Sequence, residues 1–78
     1  EGVVNYPFSI KGIKLCALFQ ESGDHIKTSF RSKGKIDVNK FARAHFSGGG
    51  HMNAAGGKST DGLEKTEARF VNEVKKLF

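Results

Sequence analysis

The chain has no tryptophan, and cysteine, methionine, proline and tyrosine each occur once in its 78 residues. A single cysteine, Cys16, cannot close an internal disulfide, so the fold must hold by packing alone, which fits a reducing, cytoplasmic setting. No apolar run approaches the roughly 20 residues of a membrane helix, and nothing has the form of a signal peptide, so no membrane partner is expected. The length allows one domain with a modest core. The chain opens on Glu1 rather than methionine, and we expect a piece cut from a longer protein.

Carboxylates are also scarce, 8 against 13 lysines and arginines, for a formal charge of +5. That balance favours anionic partners, nucleotides or nucleic acid among them, without naming one. It also weighs against catalysis. Glu21 and Asp24 flank a turn, Asp37 and Asp61 sit where helix caps belong, and Glu64, Glu67 and Glu73 fall along one helical stretch. No set of them clusters with His25, His45 or His51 in a metal-ligand spacing, so no metal site is expected in this chain. The glycines lack the Gly-Lys-Ser/Thr ending of a P-loop. The chain alone is expected not to be catalytic.

What is abundant is glycine, and it is concentrated. Five of the twelve residues from Phe46 to Gly57 are glycine, in the order Gly48-Gly49-Gly50-His51-Met52-Asn53-Ala54-Ala55-Gly56-Gly57. Such a run permits close approach to the backbone, and its N–H groups can converge on an anion. His51 can donate to a phosphate, Asn53 can reach a base edge or a ribose hydroxyl, and Arg31 can hold a phosphate by its fork. Each has a plainer reading: a surface arginine, a loop histidine satisfied by backbone, and a polar residue at a helix start.

Around this loop the pattern reads as an α/β fold, a small sheet with a β-hairpin and helices packed against it. The run Leu15-Cys16-Ala17-Leu18-Phe19 predicts a central strand over Ile13–Gln20, covered on both faces. After the turn Glu21–Asp24 a second strand, His25–Ser32, alternates: Ile26, Thr28 and Phe30 to one side, Lys27, Ser29 and Arg31 to the other. Asp37 predicts the N-cap of a helix over Val38–His45 that packs through Val38, Phe41 and Ala42. His51–Ala55 reads as one or two helical turns, stopped by Gly56-Gly57, with a short strand over Lys58–Thr60. Asp61 and Glu64 have capping-box spacing ahead of a last helix, whose apolar stripe is Leu63, Phe70, Val71, Val74, Leu77 and Phe78. Glu1–Lys11 admits a strand, a turn or a linker, and residues 1–12 are taken as a linker or preceding segment before a domain over 13–78.

Gly48-Gly49-Gly50-His51 followed by Asn53-Ala54-Ala55-Gly56-Gly57 resembles the signature loop of the DHH-associated C-terminal domain. Phe30-Arg31-Ser32-Lys33-Gly34 and Asp37-Val38-Asn39 fit the same family in order and spacing. Within it the chain is most similar to the bacterial oligoribonuclease and phosphoadenosine-phosphate phosphatase group, also called exopolyphosphatase-related. The resemblance implies a substrate-binding domain whose Arg31 and His51 contact substrate phosphate. Gly48, Gly49 and Gly50 would supply close-approach backbone, and Asn53 a further contact. It also implies a missing N-terminal DHH catalytic domain holding manganese, which would hydrolyse short RNA or 3′-phosphoadenosine 5′-phosphate. Alternatives are a single-strand nucleic-acid-binding module of a related exonuclease, or a dimerisation or regulatory domain; a homodimer stays open.

Overall fold

The computed structural model describes residues 3–10 and 13–76. Five strands form one antiparallel sheet in the order β1-β2-β3-β5-β4: β1 Val3–Ile10, β2 Ile13–Ser22, β3 His25–Lys33, β4 Gly49–His51 and β5 Ala54–Ser59. Helix α1, Val38–His45, follows β3, and α2, Leu63–Lys75, follows β5. Both helices supply the core from one side of the sheet, and the other side is left open. This is the expected α/β domain. Of the readings admitted for the first residues, the strand is the one realised, since β1 pairs with β2 along its whole length.

The core explains the sidedness. Leu15, Ala17 and Phe19 of β2, Ile26 and Phe30 of β3 and Ala55 of β5 meet Val38, Phe41 and Ala42 of α1 and Phe70 and Val74 of α2, all buried. Five phenylalanines hold the layers together, with Phe30 at the centre; its ring lies 5.1 Å from that of Phe46, 5.5 Å from Phe41 and 5.9 Å from Phe70. Edge-to-face and offset ring pairs at such spacings are favourable beyond their buried area. Tyr6 extends the cluster from β1, its ring 5.6 Å from Phe70.

Three sequence expectations need correction. β2 is not covered on both faces: Leu15, Ala17 and Phe19 are buried, while Lys14, Leu18 and Gln20 are exposed and Cys16 is half-buried. The apolar run hid a two-residue alternation because Cys16 and Leu18 are themselves apolar. His51–Ala55 is not helical. Met52-Asn53 makes a two-residue turn that joins β4 to β5, and β5 begins at Ala54, four residues ahead of the expected short strand. Tertiary pairing decides this. The Met52 carbonyl accepts from the Val38 amide at 2.8 Å and the Asn53 carbonyl from the Ser32 amide at 3.0 Å, while Gly56 and Gly57 sit opposite Ser29 and Thr28.

Asp61 does not cap α2 either. Gly62 is the N-cap and makes no side-chain cap bond. The Gly62 carbonyl instead accepts from the amide and the hydroxyl of Thr66, and the Asp61 carboxylate pairs with Arg69. Asp37 does cap α1, accepting from the Lys40 amide at 3.0 Å. Thr66, buried with Phe70 and Val74, joins the α2 stripe; Leu63 and Val71 are half-buried, and Leu77 and Phe78 lie outside the described residues.

Candidate functional site

Strand register assembles the expected site residues on the open face. His51 lies opposite Ala54, Ala54 opposite Arg31, Arg31 opposite Cys16 and Cys16 opposite Pro7, forming one row across all five strands. Adjacent strands are about 4.8 Å apart, so His51 and Arg31 stand roughly 10 Å apart at the backbone. Between them is only the methyl group of Ala54. An anion can be approached by both side chains at once over this low ground. His51 and Arg31 are exposed, and Ala54 is half-buried.

The charge on the open face is of one sign. The residues that alternate outward along β2, β3 and β5 include Lys14, Lys27, Arg31, Lys33 and Lys58, and among the described residues of these outward positions no carboxylate appears. Asp37, Glu64, Glu67 and Glu73 sit with the helices. A one-sign surface of this kind attracts anions. Lysines sit directly opposite one another at Lys14–Lys33 and at Lys27–Lys58, an arrangement unfavourable for sheet pairing on its own.

The glycine run is packed and bonded within the chain. The Gly48 amide donates to the Ala42 carbonyl at 3.1 Å, and the Gly50 amide donates to Asn39 Oδ1 at 2.9 Å. These N–H groups are therefore engaged within the chain. At Gly48 an added Cβ would overlap the backbone of Gly56 and Gly57. At Gly50 it would stand 2.6 Å from the Ala54 carbonyl. The missing side chains let α1 and the start of β4 lie directly on β5, which brings His51 into the row. Gly49 differs, facing the side chains of Asn39 and Arg43 at 3.3 and 3.4 Å.

Asn53 is drawn into the scaffold as well. Its amide nitrogen donates to Ser32 Oγ at 3.0 Å and to the Gly34 carbonyl at 3.2 Å, tying the β4–β5 turn to the loop before α1. Ser32 points away from the Arg31 side and donates to the Ile36 carbonyl at 2.7 Å. Asn39, which sequence reasoning used only as part of a family pattern, proves to fix the glycine segment. Its signal was its position, third in the Asp37-Val38-Asn39 start of α1.

The histidines separate cleanly. His25 pairs with Asp24 at 3.3 Å, and His45 lies 3.7 Å from Glu73 and against the Phe41 ring. Among the described residues nothing bonds to the His51 side chain. Nor does any group of three His, Cys, Asp or Glu among those residues come together to hold a metal ion.

Comparison with known proteins then decides the family. The DHHA1 domain matches over residues 1–78. The chain belongs to the DHHA1 family. No curated protein matches it. The DHHA1 chain is similar to the crystal structure of an exopolyphosphatase-related protein from Bacteroides fragilis. The two share 37% identity at a TM-score of 0.78, over 87% of this chain and 20% of that one. The DHHA1 chain thus spans about a fifth of the length of that relative. DHHA1 domains are the accessory domains of DHH phosphoesterases, in which they accompany an N-terminal DHH catalytic domain.

Proposed function

We propose that this domain grips the phosphate of a short oligoribonucleotide or of 3′-phosphoadenosine 5′-phosphate for a DHH catalytic domain N-terminal to it. The observation that carries the reading is the His51–Ala54–Arg31 row on a face of the sheet where the charged side chains are all basic. Arg31 offers a fixed fork of donors and His51 a donor that gains charge when protonated, both suited to phosphate oxygens. The glycines serve this grip indirectly, by holding β4 where His51 belongs.

Hydrolysis in this proposal belongs to the catalytic domain, which would hold manganese. The residues of this chain do not fit such a centre, since no ligand cluster forms among those described. What this chain supplies is position and charge: Arg31 and His51 fix the phosphate and offset its charge. The exopolyphosphatase-related relative supports a phosphate-bearing substrate. A single-strand binding module of the stacking kind would need aromatic rings on the open face. Among the described residues the outward positions of β2, β3 and β5 carry none.

Arg31→Ala and His51→Ala are each expected to weaken adenosine 5′-monophosphate binding by roughly ten- to a hundredfold, the weight of a charge-assisted hydrogen bond. Both side chains are exposed, so the melting transition should stay where it is. Calorimetric titration beside thermal denaturation reads both. Unchanged affinity in both variants would remove the grip; lost stability with lost affinity would make these residues structural.

A further inference from the structure

The two helices do not cover the five strands evenly. On the core side α1 lies against β3, β4 and β5, and α2 lies against β2. The outermost strand, β1, is reached through the Tyr6–Phe70 ring contact. Val4, Tyr6 and Phe8 stand opposite Phe19, Ala17 and Leu15 and point to the same side. The three β2 residues are buried, whereas all three on β1 stay half-buried. A cleft of about 340 Å3 opens there between β1 and α2, lined by Tyr6, Ala68, Val71 and Asn72 with Glu64 and Glu67.

The charge of this cleft runs against that of the chain. Lysine and arginine outnumber carboxylates 13 to 8, yet both charged side chains lining the cleft are acidic. Glu64, Glu67, Ala68 and Val71 share one face of α2 by their three- and four-residue spacing. Two carboxylates so spaced repel each other, and among the described residues no cation pairs with either. Other carboxylates on the helix side are engaged: Asp37 caps α1, and Glu73 meets His45 and Lys76. Apolar surface bordered by unmatched acid complements a segment that is apolar on one side and basic at its flanks. Pro7 decides the form of that segment. It sits midway along the exposed edge and has no amide hydrogen, so a sixth strand would meet a gap in its ladder. A helix satisfies its own backbone and needs no such ladder.

We infer that the β1–α2 cleft docks a partner helix whose apolar stripe is flanked by lysine or arginine. The stripe covers Tyr6, Ala68 and Val71, and the basic flank meets Glu64 and Glu67. The docked helix lies beside α2 and closes the core over β1. That is the side of the sheet away from Arg31 and His51, so the site is independent of the phosphate grip.

The probe is a fluorescently labelled leucine–lysine peptide of about 18 residues, with its leucines on one helical face. Anisotropy should show saturable binding, about tenfold or more tighter than for the same peptide with glutamate in place of lysine. The net charge of +5 repels the lysine peptide, so such a preference can arise only locally. Glu64→Gln/Glu67→Gln should weaken it about fivefold, the weight of two exposed ion pairs. Leu18→Lys/Gln20→Lys raises the net charge equally on the opposite face and should change affinity by less than about twofold. Ala68→Arg fills the cleft from an exposed helical position, so binding should be lost while circular dichroism keeps the folded spectrum. Equal binding of the two peptides, or unchanged affinity in Glu64→Gln/Glu67→Gln and Ala68→Arg, would overturn the inference. So would tighter binding of a strand peptide that alternates leucine and lysine. A dimer of the chain alone that Ala68→Arg dissociates would give the face to a second copy and overturn it as well.

Discussion

Phe30→Ala is expected to cost about 3–5 kcal/mol, the range for removing a fully buried phenylalanine. Phe30 has no exposed surface and lies in ring contact with Phe19 of β2, Phe41 of α1, Phe46 beyond it and Phe70 of α2. The cavity left behind would border four rings at once, drawn from β2, both helices and the segment after α1. The surrounding rings are rigid and close in poorly, which places the cost high in the range. A domain of this size has a total stability on the order of 5–10 kcal/mol, and each kcal/mol moves its melting point by roughly 4–8 °C. Thermal denaturation followed by circular dichroism should show a fall of some tens of degrees or no cooperative transition at all. A loss under about 1 kcal/mol would mean that the two helices are held by something other than this cluster. The effect bears on the proposed grip because Arg31 is the next residue of β3: a loosened Phe30 frees the strand that carries it.

Gly48→Ala is the second large effect, and it comes from a single methyl group. The new Cβ would fall on the Gly56 carbonyl and the Gly57 Cα, backbone atoms that cannot turn aside as a side chain can. Relief requires β4 and the end of α1 to move off β5. Two bonds are strained by that movement, Gly48 N–H to Ala42 and Lys58 N–H to the Phe46 carbonyl, the latter now at 2.7 Å. Overpacking of this kind costs about 1–3 kcal/mol or more. His51 would leave the row with β4, so ligand affinity should fall together with stability. Gly49→Ala provides the contrast. Its Cβ would meet the ends of Asn39 and Arg43, flexible side chains with room to adjust. Stability and binding should both stay near those of the parent chain. If Gly49→Ala instead abolishes binding with the fold intact, a ligand passes directly over the glycine backbone.

Much of this was legible in the sequence. The β2–β3 hairpin followed from the alternation in Ile26, Thr28 and Phe30, and α1 from Asp37 with Val38, Phe41 and Ala42, because those signals are local. Arg31 and His51 stand in one row, although 20 positions separate them, since β3–β5 pairing aligns them across Ala54. No single-sequence pattern gives that register.

The errors share a cause: long-range contacts outweighed local preference. His51–Ala55 carries small residues that suit helical turns, yet pairing with β3 draws Ala54 and Ala55 into β5 and leaves Met52-Asn53 as the turn from β4. Asp61 has capping-box spacing, yet Arg69 takes its carboxylate. The lysines of the open face were scattered through the sequence and became a surface only when three strands, β2, β3 and β5, had been laid side by side. Lys14 and Lys33, 19 positions apart, are neighbours only through the β2–β3 register.

The central claim is that the open sheet face binds phosphate, and an NMR titration of the 78-residue chain with adenosine 5′-monophosphate tests it most directly. The expected result is a set of saturable amide shifts at His51, Ala54, Arg31 and Cys16, with little change along the exposed face of α2, and their loss in Arg31→Ala. Shifts that never saturate, or that gather on the helices while this row stays still, would contradict it.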